Sequence, residues 1–315
     1  MPITRLAPSP TGALHLGNAR TFLANWLLAR QNRWRILLRI EDLDGPRVKK
    51  GADQQAIDDL CWLGIDWDQG PIYQSSRLPM YQAAIRRLID SRRAYPCVCT
   101  RSEVNTAASA PHAEDGAAIY PETCRGRFDN PQQAATAAGR EPAIRFLVPD
   151  GIVPFTDAFC GEQQFEPRRQ LGDFVIAKAD GTPAYQLAVV VDDAQMQVSH
   201  IVRADDLIDS TPRQILLYEA LGLREQLPWH CHLPLVVGPD GRRLAKRHGD
   251  TRLACYRQQG VPAGRVLSLL ARWCGISLAQ EPKAASDLVG KFDLSAMSRQ
   301  AIVFRDEDDR WLKGR

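Results

Sequence analysis

Three of the eight cysteines lie close together in the chain. Cys97 and Cys99 form a C-x-C pair, and after 20 intervening residues Tyr120 and Cys124 follow, themselves separated by three residues. Thiolates with this spacing can reach one tetrahedral Zn²⁺ ion, although C-x-x-C pairs are the commoner arrangement. Three thiols leave a fourth ligand position open. On the residues alone, buried free thiols are an equally good interpretation.

A second group of residues is suited to binding phosphate. The segment APSPTGALHLGNAR (7–20) joins a predicted strand to a predicted helix, with His15 and Asn18 at the helix entry and Gly17 between them. A helix N-terminus at the end of a parallel strand favours an anion through its N–H groups and its dipole. An imidazole there can donate to a phosphate, but a lone histidine in a loop is more often a surface or capping residue.

A basic segment, GPDGRRLAKRHGD (238–250), lies far downstream. A Pro-Asp-Gly turn precedes four cations, namely Arg242, Arg243, Lys246 and Arg247. A basic loop beside a sheet edge can stabilise charge on a transferring phosphate. A solvated basic turn is the plainer alternative.

Alternating strands and helices must position these segments. Over residues 1–95 the patterns predict strands at 3–7 and 35–40 and helices at 18–31, 54–63 and 78–91. From about residue 96 a polar, Ala-rich stretch (105–118) and short strands near 144–148 and 174–177 predict an inserted α+β module. Alternation resumes with LAVVVDD (187–193), HIVR (200–203), a helix over 213–221 and LPLVVG (233–238), and the chain after 250 reads as mostly helical. The alternation predicts a parallel sheet of Rossmann type.

The composition is that of a folded globular chain. Of 315 residues, 44% are hydrophobic and 24% charged, which excludes wholesale disorder. The net charge of +3 neither indicates nor excludes a nucleic-acid partner. The N-terminus MPITRLAPSP lacks the pattern of a secretory signal, and the longest aliphatic run, Leu187 to Val191, is far too short to span a bilayer. We therefore expect a cytoplasmic protein with no membrane partner.

The two phosphate-site segments occur together in class I aminoacyl-tRNA synthetases. HLGN (15–18) and RLAKR (243–247) resemble the HIGH-type and KMSKS-type motifs that grip ATP and the aminoacyl-adenylate in that family. The match is imperfect, since Asn18 replaces the second histidine, and Arg243 and Ala245 replace the first lysine and the serine. His15 and Lys246 are retained and would be the catalytic residues. The resemblance implies that His15, Gly17, Asn18, Arg243 and Lys246 bind ATP.

Further segments narrow the resemblance to the glutamyl-tRNA synthetases. RLAPSPTGALHLGNART (5–21), RIEDLD (39–44), STPRQILLYEALG (210–222) and AKRHGD (245–250) are all similar to that family. The resemblance implies that Arg5 pairs with the side-chain carboxylate of L-glutamate and that Glu41 holds its α-amino group. The other residues it implies for the glutamate pocket are Ala7, Ser9, Tyr185 and Arg203. An anionic amino acid does need a guanidinium for its carboxylate and a carboxylate for its ammonium.

Two departures, taken together with the cysteine pattern, make the chain resemble a shortened paralogous family, the glutamyl-queuosine tRNA(Asp) synthetases. Only 69 residues follow Lys246, which leaves no room for a large helical anticodon-binding domain, and Val189 stands where the longer enzymes usually have asparagine. The resemblance implies activation of L-glutamate with ATP and Mg²⁺, without tRNA, and transfer to the queuosine base at the wobble position of tRNA(Asp). It also implies that Cys97, Cys99, Tyr120 and Cys124 hold one structural Zn²⁺ per chain. His112, in the intervening stretch, is the less favoured fourth ligand.

The predicted architecture is an α/β, Rossmann-type class I synthetase catalytic domain with an inserted zinc-bearing module and a mostly helical C-terminal part. Its segments are the first half of the catalytic domain (1–95), the insert (96–184), the second half with the KMSKS-like loop (185–250) and a helical stem-contact-like region (251–315). We expect a monomer.

Three alternative functions remain open from the sequence. A truncated glutamyl-tRNA synthetase that charges tRNA(Glu) would share every catalytic motif. A catalytically silent RNA-binding protein fits the altered HIGH and KMSKS positions, but not the full set of amino-acid pocket residues. A small adenylate-forming ligase that acts on a free amine is disfavoured by the STPRQILLYEALG and RIEDLD segments.

Overall fold

The computed structural model describes residues 1–100, 102–104, 119–242, 244 and 250–314. The strands are β1 (Ile3–Leu6), β2 (Arg35–Ile40), β3 (Gln69–Tyr73), β4 (Ala94–Cys97), β5 (Ala143–Phe146), β6 (Val153–Asp157), β7 (Gly161–Phe165), β8 (Val175–Ala177), β9 (His200–Ala204), β10 (Trp229–Leu233), β11 (Val236–Val237) and β12 (Ile302–Val303). The helices are α1 (Leu16–Gln31), α2 (Ala52–Trp62), α3 (Leu78–Asp90), α4 (Pro131–Ala138), α5 (Pro167–Gln170), α6 (Tyr185–Gln195), α7 (Ser210–Ala220), α8 (Leu253–Gln258), α9 (Ala263–Trp273) and α10 (Asp306–Leu312).

Parallel strands from the two halves of the chain lie side by side. β1, β2 and β3 form one parallel set, and β9, β10 and β6 form another, with β7 antiparallel at its edge. The Ser199 N–H, just before β9, donates to the Ile3 carbonyl of β1 at 2.9 Å and joins the two sets. The carboxyl ends of β1, β2 and β9 therefore meet at one edge, where open α/β sheets bind ligands.

The first strands and helix form because their apolar residues are covered on both sides. Five of the six residues of β2 (RILLRI) are buried, as expected for a parallel strand with both faces packed. α1 packs on this sheet through Leu16, Leu23 and Leu27, all fully buried. His15 caps the helix at its start, and Asn32 ends it.

The region after β4 has its own small sheet. β4, β5 and β8 pair antiparallel, and Tyr95, Cys97, Tyr120 and Cys124 form a separate small core beside that sheet. The boundaries predicted at residues 95, 184 and 250 stay predictions.

The run LAVVVDD, which the alternating pattern groups with the strand HIVR, is helical. The run forms the middle of α6, and its residues from Leu187 to Asp193 are all buried. They are covered by α3 and α7, on which α6 packs, and do not lie in a sheet. The other predicted elements are present with shifts of a few residues, and the tail carries α8, α9 and α10, together with the short strand β12. No helix within the described ranges has the length and apolar character needed to cross a bilayer.

Candidate functional site

A cavity of about 480 Å³ opens at the edge where β1, β2 and β9 end. Residues from both halves of the chain line it, including the whole predicted glutamate set and the described part of the predicted ATP set. These are Arg5, Ala7, Ser9, Glu41, Tyr185 and Arg203, together with His15, Gly17 and Asn18.

Charge on the β1–β2 side of the cavity is fixed by a buried network. Arg39 donates to Asp193 at 2.6 Å and to Glu41 at 3.1 Å, and the Arg5 Nε lies 3.7 Å from the same Asp193 carboxylate. Arg5 and Arg39 are almost fully buried, so their guanidinium groups are held by these partners rather than by water. Burial raises the pKa of the Glu41 carboxyl, while Arg39 and Arg5 act in the opposite direction.

Asp192, the neighbour of Asp193 in α6, fastens this network to the rest of the molecule. Its carboxylate accepts hydrogen bonds from Gln74, Arg77 and Tyr81 at 2.7 to 2.9 Å. Helix α6 is thereby tied to α3, and the first residue of α6, Tyr185, is placed at the rim of the cavity.

The opposite side of the cavity is formed by Arg203 of β9. Its Nε donates to His232 Nε2 at 2.9 Å and its Nη2 donates to Thr211 at 2.9 Å. His232 Nδ1 lies 2.6 Å from Asp157. Arg203 is therefore held from behind by buried polar groups on two neighbouring strands and on α7.

The entry of α1 shows how His15 and Asn18 cooperate. His15 Nδ1 accepts from the Gly17 and Asn18 backbone N–H groups at 3.1 and 3.4 Å, and the Asn18 side chain accepts from the His15 N–H. Because Nδ1 is an acceptor, the neutral ring carries its proton on Nε2. Asn18 thus has a place in the cap, and the cap fixes the His15 tautomer.

The basic segment begins and ends beside this helix entry. The Leu244 N–H donates to the Val236 carbonyl, and after the segment Leu16 and Thr251 pair through their backbones, as do Leu253 and Leu14. Leu244 and the described residues that follow the segment therefore lie close to the helix entry. Arg243 and Lys246 themselves lie outside the described residues.

The structure brings the three cysteines together, as a shared metal site requires. The Sγ atoms of Cys97, Cys99 and Cys124 all lie within 4.8 Å of one another. The Tyr120 hydroxyl oxygen is 3.3 Å from Cys97 Sγ and 3.6 Å from Cys99 Sγ, and it accepts the Cys124 N–H at 2.8 Å. Ligand atoms bonded tetrahedrally at about 2.3 Å are separated by about 3.8 Å, so these four donors fit one metal ion. His112 lies outside the described residues.

Arg145 completes the surroundings of the cluster. Its Nε donates to Cys97 Sγ at 3.2 Å, and its guanidinium lies 3.8 Å from the centre of the Tyr120 ring. A guanidinium in this position interacts favourably with the face of the aromatic ring. Burial raises the pKa of Tyr120, so the phenol keeps its proton unless a bound cation displaces it.

Several residues at the cavity and around it were missed by sequence reasoning. Arg39 and Asp193 do not line the cavity, but they set its charge pattern through Arg5 and Glu41. A fully buried arginine in the strand RILLRI was a signal that a carboxylate partner had to exist. Thr11, Asp206, Leu207 and Leu235 line the cavity itself. No spacing or residue type in the sequence marks these four.

Comparisons with known proteins agree with this geometry. Residues 3–311 match the family described as tRNA synthetases class I (E and Q), catalytic domain. Among curated relatives, a glutamyl-Q tRNA(Asp) synthetase of Symbiobacterium thermophilum is 48% identical and one of Rhodopirellula baltica is 44% identical. The alignments cover 98% and 96% of this chain and 98% and 97% of the relatives.

Longer relatives match as well. A glutamate–tRNA ligase of Geotalea uraniireducens is 39% identical over 98% of this chain but only 64% of its own length. The crystal structure of a glutamate tRNA ligase from Elizabethkingia meningosepticum, in complex with its amino acid, superposes with a TM-score of 0.81 at 28% identity, covering 99% of this chain and 68% of that one. The chain therefore belongs to the class I tRNA synthetase family of the E and Q type and carries its catalytic domain.

Proposed function

We propose that this protein activates L-glutamate with ATP and transfers it to the queuosine base of tRNA(Asp). The observation that carries the proposal is the cavity, where buried Arg5 and Arg203 and the carboxylate of Glu41 lie beside the His15-capped helix entry. Cationic groups for a carboxylate, an anion for an ammonium and a phosphate-binding helix end are what glutamate and ATP together require.

Recognition of glutamate is assigned to six side chains. Arg5 would pair with the side-chain carboxylate and Glu41 with the α-ammonium, because the two lie at the ends of adjacent strands with opposite charge. Ala7 and Ser9 leave room for the ligand, and Tyr185 and Arg203 would complete the contacts from the second half of the chain.

Activation joins the glutamate α-carboxylate oxygen to the α-phosphorus of ATP and breaks the bond to pyrophosphate. His15 would donate from Nε2 to a phosphate oxygen, with Gly17, Asn18, Arg243 and Lys246 as the remaining ATP contacts. Mg²⁺ carried with ATP neutralises phosphate charge. Catalysis would thus rest on positioning and on charge stabilisation, without a covalent enzyme intermediate.

In the transfer step a hydroxyl of the queuosine cyclopentene diol attacks the carbonyl of glutamyl-adenylate. An ester forms, AMP leaves, and the hydroxyl proton is lost to solvent or to the phosphate. This choice of acceptor is supported by relatives of the same length that are named glutamyl-Q tRNA(Asp) synthetase, whereas the named glutamate–tRNA ligases extend well beyond the match.

Cys97, Cys99, Tyr120 and Cys124 would hold one structural Zn²⁺. A bound ion of this kind adds folding free energy to a small module with a limited core. The neighbouring sheet of β4, β5 and β8 would be the part of the molecule it stabilises.

The test supplies the protein with ATP, labelled glutamate and two tRNA pools, one that contains queuosine and one from cells unable to make it. Label on the first pool alone is expected. Equal label on both pools would instead indicate a shortened glutamyl-tRNA synthetase, and no glutamate-dependent pyrophosphate exchange would indicate a silent binding protein. Arg5→Lys, which loses the guanidinium fork, should abolish labelling, and the exposed Arg33→Lys should leave it intact.

A further inference from the structure

Arg203 is held by a relay of polar side chains that runs back from the cavity. It passes from Arg203 on β9 to His232 on β10 and then to Asp157 at the end of β6, three adjacent parallel strands. All three residues are buried, with His232 fully inaccessible, so bulk water cannot substitute for any link.

The direction of each hydrogen bond follows from the arginine. Arg203 Nε is always a donor, so His232 Nε2, 2.9 Å away, must be the acceptor. The His232 proton is then on Nδ1 and is donated to Asp157 Oδ2 at 2.6 Å. Burial lowers the pKa of His232, with Arg203 and Arg5 acting in the same direction and Asp157 opposing them, so the ring stays neutral.

Asp157 is itself fixed in orientation. Its other oxygen, Oδ1, accepts from the backbone N–H groups of Phe159, Cys160 and His232 at 3.0, 2.8 and 3.1 Å. Only Oδ2 therefore faces the imidazole, and the carboxylate cannot turn without losing three hydrogen bonds.

Two guanidinium nitrogens of Arg203 are occupied in this way, Nε by His232 and Nη2 by Thr211. The third, Nη1, is buried and has no hydrogen-bond partner among the described residues. An unpaired buried donor on a cation is costly, and it is the group that an anionic ligand in the cavity would satisfy.

We propose that Asp157 and His232 are positioning residues, which fix one imidazole tautomer and thereby aim Arg203 Nη1 at the amino-acid substrate. Neither residue lines the cavity, and both act through Arg203. The part of the proposal that concerns the substrate rests on the proposed function, whereas the tautomer does not.

The substitution Asp157→Asn tests the relay with almost no change in shape. The three backbone N–H groups keep the asparagine oxygen in the position of Oδ1, so the asparagine NH₂ group must face His232 Nδ1. His232 Nδ1 then has to accept a hydrogen bond, and the ring proton moves to Nε2. The Nε2–H would then point at the Nε–H of Arg203, and two donors cannot form a hydrogen bond. Arg203 must move or lose its partner.

Glutamate-dependent pyrophosphate exchange provides the first readout. We expect Asp157→Asn to raise KM for glutamate at least about tenfold with a smaller effect on KM for ATP. The control is Asp173→Asn, another buried aspartate, which bonds Tyr95 and the Val148 backbone within the insert. It should lower the unfolding temperature without changing KM for glutamate.

A double variant separates positioning from mere packing. Glu at position 232 can accept from Arg203 Nε with one oxygen and from the NH₂ of the asparagine at 157 with the other, and the double variant keeps the number of carboxylates unchanged. Asp157→Asn combined with His232→Glu should therefore have a lower KM for glutamate than Asp157→Asn alone. A purely structural role would make the double variant the worse of the two.

The ¹⁵N chemical shifts of the His232 ring report the tautomer directly. We expect a protonated Nδ1 in the wild-type protein and a protonated Nε2 in Asp157→Asn. A wild-type ring protonated on Nε2, or an unchanged KM in Asp157→Asn, would overturn the relay. Absence of glutamate-dependent exchange in the wild-type protein would instead overturn the proposed function and, with it, the substrate part of this inference, while the ring shifts would still decide the tautomer.

Discussion

The imidazole of His15 is the clearest case of a single side chain whose position depends on its neighbours. Its Nδ1 is bound to the first backbone N–H groups of α1, which directs the protonated Nε2 away from the helix. Gly17, two residues after His15 in the first turn of α1, lies directly against the ring. A Cβ at Gly17 would lie 3.0 Å from His15 Cε1 and 3.1 Å from Nδ1, closer than side chains normally approach.

We therefore predict that Gly17→Ala affects activity far more than stability. Alanine favours helix over glycine by up to about 1 kcal/mol, but displacement of the ring weakens the His15 cap by about the same amount, so the free energy of unfolding should change little. The displaced ring should lower kcat for pyrophosphate exchange about tenfold or more, since small misplacements of a catalytic group are costly. Urea unfolding and exchange kinetics on the same protein measure the two effects. An unaltered kcat would show that His15 is not needed at this position.

Among the structural elements, the insert sheet depends on the cysteine cluster at the end of β4. Its small core consists largely of the proposed ligands, so removal of one ligand should loosen β4, β5 and β8 together. We predict that Cys124→Ser lowers bound zinc from about one to below about 0.1 per chain and speeds amide exchange in this sheet.

The matched control for this prediction is Cys61→Ser, which alters an exposed thiol on α2. Its zinc content and its amide exchange should equal those of the wild-type protein. Elemental analysis measures the first and hydrogen exchange the second. A carefully purified wild-type protein without zinc would contradict the assignment of the cluster.

Helices α2 and α8 meet at a buried carboxyl group with unusual titration. Both oxygens of Asp59 lack hydrogen-bond partners among the described residues, and the Arg257 guanidinium is 3.5 Å away. Burial outweighs this cation and raises the pKa of Asp59 to about 6. Between about pH 4 and pH 6 the folded protein therefore binds more protons at this site than the unfolded chain does.

The sign of the pH dependence follows from this difference. Asp59 should cost stability as the pH rises from 4 to 7, by on the order of 2 kcal/mol once it is ionised. Asp59→Asn should be more stable than the wild-type protein at pH 7, and the gain should disappear near pH 4. Urea unfolding at both pH values measures it. A gain of equal size at both would mean that ionisation of Asp59 is not the cause.

For the molecule as a whole, the sequence predicted residues that line the cavity better than it predicted the contacts between them. Arg5, Glu41 and Arg203 were predicted only through the resemblance to the family, and the structure places all three in the cavity lining. The bond from Arg39 to Asp193 spans 154 positions, and no local pattern connects such distant charges. The helical state of LAVVVDD was equally hidden, because a short apolar run that is buried on all sides reads alike as strand or helix.

This long-range assembly has a consequence for substrate choice. The cavity is built from residues 5–41 and 185–236, and two buried arginines, Arg5 and Arg203, line it. L-Glutamine matches L-glutamate in shape but lacks the side-chain carboxylate that would pair with a guanidinium group. Sites that depend on a charged or hydrogen-bonded contact reject an analogue lacking it far more strongly than they reject a change of one methylene.

We therefore predict that glutamate supports pyrophosphate exchange at least about 100-fold better than glutamine in kcat/KM. Glutamate with a non-hydrolysable ATP analogue should also raise the unfolding temperature, because a ligand at about 100 times its Kd adds about 2.7 kcal/mol to the folded state. Arg5→Gln should narrow the preference by lowering the rate with glutamate and leaving the rate with glutamine nearly unchanged. If both amino acids raised the unfolding temperature of the wild-type protein equally, ligand shape alone would be sufficient for binding. The charge of the side-chain carboxylate would then not be the basis of the preference.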